Sequence, residues 1–409
     1  MPRPGPAARP DPGRGEATGA GQAGRPGGVR APATLAAPGW MDRFRAWREG
    51  VTANPRFRAW AARFPLTRPM ARRRARQLFD LCAGFVYSQV LAACVRLRLF
   101  EILHEAPASE AALALRLAVP PEAMGRLLAA AAALDLTRRR QDGLWVLGPL
   151  GAAMIGNPGI AAMVEHHALL YADLADPVAL LRRDRGGNAL SAYWAYAGAV
   201  APQALGAERV ADYSALMAAS QPMVAAEVLA SYDFRRHRAL LDVGGGEGAF
   251  LAEVAPAAPD LRLMLFDLPQ VASRATARFA SRGLSGRAEA FGGDFTTDPL
   301  PQGADLISFV RVLHDHDDAV VMGLLRAARA ALPAGGRLLI AEPMAGTSGA
   351  EPMGEAYFGF YLLAMGRGRP RRPEELQAML AAAGFGRSRA LPTPTPLLTR
   401  VLVADVSAT

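Results

Sequence analysis

Four short stretches in the second half of the chain carry side chains whose types and spacing could do chemistry together. Leu240-Leu241-Asp242-Val243 runs straight into Gly244-Gly245-Gly246-Glu247-Gly248, and a helical pattern follows from Ala249. Such glycines let the backbone turn tightly and let a ligand approach it closely. The turn suits a dinucleotide, a phosphate or another nucleotide-like ligand. The Gly-Lys-Ser/Thr of a P-loop is absent. Asp267 ends the next apolar run, Met264-Leu265-Phe266, and lies 23 positions beyond Gly244. An acid at that place can take both hydroxyls of a ribose; it can also cap the helix beginning at Leu268-Pro269. After a third run comes Gly292-Gly293-Asp294-Phe295. There an aspartate can accept the exocyclic amine of adenine while an aromatic ring covers the base. The fourth stretch is Leu313-His314-Asp315. An imidazole at a strand end titrates near neutrality and can take a proton from a hydroxyl. His316 is its rival. The run His314-Asp315-His316-Asp317-Asp318 also raises metal binding, but adjacent residues at a strand end rarely converge on one ion. No metal is expected, and Asp317 and Asp318 are expected to cap the next helix.

These residues need a scaffold that brings strand ends to one edge. From residue 238, strand-like and helix-like segments alternate. The strands are Ala239–Val243, Leu261–Phe266, Ala288–Ala290, Leu306–Val312 and Leu338–Ala341. This alternation predicts an α/β fold, a Rossmann-like doubly wound parallel sheet spanning residues 211–409. A last strand, Leu398–Ala404, follows Pro392, Pro394 and Pro396, which predicts an edge or antiparallel position.

The first half reads differently. Residues 1–40 are rich in Pro, Gly, Ala and Arg and predict a disordered tail. All 46 basic residues of the 409 are arginine. The net charge of +9 is concentrated early: residues 1–76 balance at +12 and the remainder at −3. Trp47, Phe57, Trp60 and Phe64 among the arginines of 41–75 predict one or two amphipathic helices, with Arg72 opening the next. Residues 77–103 read as a long helix. Its apolar run from Leu81 to Val95 is too short and too interrupted to span a bilayer. Between 105 and 150, Ser109, then Pro120-Pro121-Glu122, then Leu144–Leu147 predict helix, helix and hairpin, a winged-helix-like segment of a mostly α-helical domain, 41–210. Its second helix carries only Arg126 as a basic residue, so packing or dimerisation is favoured over base reading. Tyr171, Tyr193, Trp194 and Tyr196 are candidate walls of an apolar pocket. Two cysteines and no visible signal peptide suit a reducing, cytoplasmic setting.

With these motifs in place, residues 210–405 resemble the class I, S-adenosylmethionine (SAM)-dependent O-methyltransferases related to the plant phenolic enzymes. The resemblance implies that Gly244 and its turn hold the methionine part of SAM. It also implies that Asp267 holds the ribose, that Asp294 with Phe295 holds adenine, and that His314 is the general base. Glu342, in Ile340-Ala341-Glu342-Pro343, matches the family residue that orients the histidine. Two departures stand out. Pro370 to Arg372 occupy the place of a second family glutamate, with Glu374 the nearest carboxylate. Val310 replaces the family's lysine, and Arg311 beside it is taken as a compensating cofactor contact. Both point away from an acidic phenol as acceptor.

Further segments are similar to the hydroxyneurosporene O-methyltransferases: Phe64–Pro69, Ala83–Gln89 and His166–Tyr171. This resemblance implies an acyclic hydroxycarotenoid methylated at its C1 hydroxyl, a homodimer formed through the N-terminal helices, and no nucleic-acid partner. The acceptor tunnel is expected between helical domain and sheet, lined by Tyr357, Phe358, Phe360, Tyr361 and Met365. The basic segment 43–76 is expected to touch the inner or photosynthetic membrane. A tetrapyrrole such as a bacteriochlorophyllide, or a polyketide or phenol, is the alternative acceptor. A non-catalytic SAM- or DNA-binding regulator is the alternative of another class.

Overall fold

The structure is a computed structural model and describes residues 39–182, 187–193, 207–397 and 399–407. The predicted tail falls almost wholly outside these residues, as do Trp194, Tyr196 and the side chain of Tyr193. Two compact units divide between Ala83 and Gly84.

In the first unit, helix Trp40–Ala53 is followed by Pro55–Arg63. Asn54 caps the second by accepting Arg56 N–H at 2.9 Å, and Pro55 stands in its first turn. Phe57, Trp60 and Phe64 form a ladder with ring centroids 5.7 and 4.9 Å apart. Trp40, Phe44, Trp47 and Trp60 are exposed. The next helix is Arg68–Arg96, so it starts before Arg72 and stops short of residue 103. Arg98, in the left-handed region at φ 52°, ends the run and a new helix begins at Leu99. At 29 residues, Arg68–Arg96 is long and apolar enough, by length and composition, to cross a membrane. Its N-terminal turns carry Arg68, Arg72, Arg73, Arg74 and Arg76, so they lengthen the helix without lengthening the apolar run.

Within the second unit, helices Glu110–Arg116 and Pro121–Ala133 are followed by an antiparallel hairpin, β1 Thr137–Arg139 and β2 Trp145–Leu147. Ser109 caps the first helix by accepting Ala112 N–H at 3.2 Å, as its position predicts. Arg126, the second helix's only base, is engaged by Glu122 at 2.5 Å.

The sheet has strands β3 Ala239–Val243, β4 Arg262–Asp267, β5 Ala288–Gly292, β6 Leu306–Val310, β7 Arg337–Glu342, β8 Ser388–Leu391 and β9 Arg400–Asp405. Their order is β5-β4-β3-β6-β7-β9-β8. The first five are parallel; β9 is antiparallel to both neighbours. Strand β9 is interior, not an edge. Strand β8 forms the edge and has no counterpart among the predicted strands; Leu398 is outside the described residues. Alternation along each strand divides the core. Leu241, Val243, Ile307 and Phe309 pack with Leu324 and Leu325 on one face, and Leu240, Leu265, Leu306 and Leu339 with Phe250 and Phe279 on the other. Each such side chain contributes about 2 kcal/mol. This packing holds the strand ends still, and the order reverses between β3 and β6, where open α/β sheets bind ligands.

Candidate active site

The cleft at that reversal contains about 930 Å³ of atom-free space, its mouth included. Gly244 to Gly246, Asp267, Phe295 and Arg311 line it, so four of the seven predicted site residues come together there, while His314, Glu342 and Asp294 are not in the lining. Gly244 adopts φ 70° and its N–H donates to Phe266 O at 2.8 Å, closing the turn onto β4. A Cβ at this position would stand 2.8 Å from Val312 Cγ2, so only glycine fits.

Asp267 ties the turn down. Its Oδ2 accepts Gly246 N–H at 2.8 Å and its Oδ1 accepts Leu268 N–H at 2.7 Å. Burial pushes its pKa up to about 6, against the pull of these two backbone donors. Asp242 was legible only as the start of the turn, yet it also lines the cleft. Ser308 Oγ donates to its Oδ1 at 2.6 Å, while its buried Oδ2 has no hydrogen-bond partner among the described residues. Burial pushes this carboxyl up to about 7. An unpaired carboxylate oxygen beside a glycine turn suits a cationic ligand, and the methionine ammonium and sulfonium of SAM are such groups.

Phe295 lines the cleft but Asp294 does not. Asp294 is buried, and its Oδ1 accepts Thr296 N–H and Oγ1–H at 2.8 and 2.6 Å. The ring of His316 meets Phe295 edge-on at 5.4 Å. Burial, with Arg367 and His314 nearby, pushes His316 down to about 4, so it stays neutral on the cofactor side. Arg311 adopts φ 59°, a strained conformation for a non-glycine residue. Its guanidinium donates to Ser220 Oγ at 2.7 Å and to Met217 Sδ at 2.9 Å.

His314 lies on a one-turn 3₁₀ helix, Leu313–Asp315, beyond β6. Its Nδ1 is hydrogen-bonded to Glu342 Oε2 at the end of β7. The other carboxylate oxygen, Oε1, accepts Val312 N–H at 2.9 Å and Leu313 N–H at 2.7 Å. Glu342 therefore holds both the imidazole and the turn beneath it. Asp315 Oδ1 stands 3.1 Å from Nε2 without hydrogen-bond alignment. Burial disfavours the imidazolium, but Asp315 and Glu342 outweigh it and hold the His314 pKa above the ordinary range. Asp315 itself is pushed up to about 6 by burial.

Phe358 packs edge-on against His314 at 5.7 Å. It ends a π-helix, Pro352–Phe358, that continues into helix Gly359–Met365. Among the expected tunnel residues, Tyr361 and Met365 are buried and Tyr357 and Phe358 half-buried, but Phe360 is exposed and leaves the set. Tyr357 and Tyr361 hydroxyls pair with His167 and His166, each at 2.8 Å. Glu374 is exposed on helix Pro373–Ala382 and does not replace the missing carboxylate; buried Arg371 stands there instead. Asp317 occupies the N-cap of helix Asp318–Ala331 but makes no side-chain cap; its Oδ1 accepts Gly368 N–H at 3.1 Å. Among the described residues, no three His, Cys, Asp or Glu side chains are grouped to hold a metal ion.

Comparison with known proteins adds an independent line. The O-methyltransferase domain family matches residues 171–386, and the O-methyltransferase dimerisation domain family matches 79–157. The chain is 46% identical to the demethylspheroidene O-methyltransferase of Cereibacter sphaeroides over 87% of its own length and 93% of the relative's. Against the Rhodobacter capsulatus enzyme of the same name the identity is 47%, over 84% and 85%. Among solved structures, a methyltransferase of calicheamicin biosynthesis in its SAH-bound form superposes with a TM-score of 0.69 at 26% identity, covering 82% of this chain and 98% of that one.

Proposed function

The chain belongs to the O-methyltransferase family, and from that premise we propose that it transfers the methyl group of SAM to the C1 hydroxyl of an acyclic hydroxycarotenoid. The observation that carries the reading is the pairing of His314 with Glu342 beside a cleft that presents Asp242 Oδ2 and the glycine turn. Residues 211–409 supply the donor site; 41–210 supply the dimerisation domain and a wall for the acceptor, and the enzyme is a homodimer.

Bound in the cleft, SAM supplies an electrophilic methyl on a sulfonium. The turn at Gly244 and Asp242 holds its methionine end, and Asp267 its ribose. Phe295 would cover the adenine, and Asp294 at the same turn is proposed to take its exocyclic amine. The Arg311 guanidinium, which here bonds Ser220 and Met217, would pair with the carboxylate. His314 takes the acceptor's proton at Nε2, because Nδ1 is committed to Glu342. An aliphatic tertiary alcohol is a very weak acid, so the proton leaves as the new C–O bond forms and not before. Tyr357, Phe358, Tyr361 and Met365 give the acceptor side an apolar, water-excluding wall. Pro370 to Arg372 in place of a second carboxylate, and Val310 in place of a lysine, suit a neutral alcohol better than a phenolate.

Two curated relatives named for demethylspheroidene support the acceptor class. Initial rates with demethylspheroidene, a simple phenol and a bacteriochlorophyllide test it. The hydroxycarotenoid is expected to give the highest kcat/KM. A bacteriochlorophyllide or phenol preferred over it would overturn the acceptor assignment and leave methyl transfer standing.

An apolar acceptor resides in a bilayer, and residues 43–76 are suited to reach one. Eleven arginines between Arg43 and Arg76 face only Asp42, Glu49 and Asp80. None of the eleven forms an ion pair among the described residues. Exposed Trp40, Phe44, Trp47 and Trp60 supply the interfacial aromatics. Cosedimentation with anionic vesicles is expected to weaken when salt rises from about 0.1 M to about 0.5 M. It should weaken again when Arg43, Arg45 and Arg48 become glutamine. No cosedimentation with anionic vesicles even at the lower salt would contradict membrane contact.

A further inference from the structure

The segment between helix Gly359–Met365 and helix Pro373–Ala382 converges on the turn that carries His314. Arg369 N–H donates to His314 O at 2.9 Å. Arg371, only 2% exposed, donates from Nη1 to Leu313 O and from Nη2 to His316 O, each at 2.7 Å. Its Nε and Nη2 also bond Asp318 Oδ1, at 2.9 and 2.7 Å. Its own carbonyl accepts Ala345 N–H at 3.0 Å, three residues beyond Glu342. Gly368, at φ 76°, passes so close to His314 O that a Cβ there would collide with it.

A three-residue 3₁₀ turn has poor hydrogen-bond geometry of its own. Within this one, His316 N–H reaches Leu313 O only at 3.3 Å. Its orientation is therefore set from outside, by Glu342 on one side and by this strap on the other. The geometry points to Arg371 as the positioning residue of the His314–Glu342 pair. Its guanidinium fixes the carbonyls flanking the imidazole, and its main chain is tied to the segment following Glu342. Pro370 beside it has no group that could orient the histidine, so the backbone clamp does the work of the missing second carboxylate. Arg371 is not among the residues lining the donor cleft. The inference rests on His314 being the base.

The test compares Arg371→Met, Arg371→Lys and Asp318→Asn in the full-length protein, with SAM affinity by calorimetry and kcat and KM for demethylspheroidene across pH. Misplacing a reacting group by about 1 Å costs up to about 100-fold. Arg371→Met is expected to lose about tenfold or more in kcat, with SAM affinity and acceptor KM near the parent values. Its acid limb should move to lower pH, because His314 drifts from the carboxylates that raise its pKa. Arg371→Lys, which keeps the charge and one donor, should recover part of the rate. Asp318 is half-exposed, so Asp318→Asn tests the clamp even if Arg371→Met fails to fold; it should shift both readouts the same way by less. A folded Arg371→Met with the parent's kcat and pH profile overturns the inference. So does a loss confined to SAM affinity or, where Arg371→Met fails to fold, an Asp318→Asn indistinguishable from the parent. If His314→Ala keeps its turnover, the base assignment has failed; if it is inactive while Arg371→Met matches the parent, the clamp alone has failed.

Discussion

His314→Ala is expected to lower turnover by about 10²- to 10⁴-fold while leaving SAM affinity close to the parent's. The split follows from where the side chain sits. His314 is outside the donor cleft, whose lining at this turn comes from Asp315 and His316. Its Nδ1 is committed to Glu342, so Nε2 is the only nitrogen able to take a proton. Substitution leaves Glu342 Oε2 buried without its partner, which costs about 1–3 kcal/mol of stability. Thermal unfolding should accompany the rate measurement, so that loss of fold is separated from loss of base. A folded His314→Ala protein that binds SAM and turns over at the parent rate would remove His314 from the mechanism.

Glu342→Gln should be nearly as damaging, for a different reason. The amide oxygen can still accept Val312 and Leu313 N–H, so the turn survives. The amide NH₂ then meets Nδ1. A donor there selects the tautomer protonated at Nε2, which cannot accept the acceptor's proton. Loss of about 10²- to 10⁴-fold in kcat is expected, with acceptor KM little changed. The pH profile supplies a second readout. The base must be neutral, so activity rises with pH through the His314 pKa. Burial lowers that pKa, but Asp315 and Glu342 carry it above 6.5. Removing one carboxylate should move the acid limb of the residual activity to lower pH. The stability linkage has a definite sign too. A folded-state pKa above the unfolded value stabilises below about 6.5, and that contribution fades as pH rises through the folded value. Glu342→Gln should lose this contribution. An unchanged kcat and acid limb would show that Glu342 does not set the state of His314.

Four of the five parallel strands, β3, β4, β6 and β7, were legible because strands buried on both faces read as continuous apolar runs. Strand β8 was not: Ser388–Leu391 is a sheet edge whose only buried residue is Leu391, and the run carries no pattern. Its pairing displaces β9 to the interior, so of the two positions the prolines before Leu398 suggested, edge or antiparallel, the second holds. The π-helix Pro352–Phe358 was likewise invisible, since an i to i+5 ladder has no local signature; its last residue, Phe358, packs edge-on against His314, while Phe360 on the following helix is exposed. At the site, the positions of Gly244, Asp267, Phe295 and His314 could be read from residue type and strand-end position, whereas Glu342 came only through the family resemblance. Asp294 was assigned from type alone, and type does not reveal that Thr296 takes its Oδ1. Arg371 stood in plain view as part of a departure from the family pattern, but its role depends on carbonyls about 55 positions earlier in the chain, at Leu313 and His316. No local spacing encodes such a contact.

Methyl transfer from SAM to an aliphatic hydroxyl is the reaction that the proposed site implies. The most direct measurement is a single turnover with trideuteromethyl-labelled SAM and demethylspheroidene, followed by mass spectrometry and NMR of the product. The label is expected as a methyl ether on the C1 oxygen, with one S-adenosylhomocysteine formed per ether. An unlabelled carotenoid, or label on carbon, from protein that binds SAM and methylates a phenol under the same conditions, would contradict it.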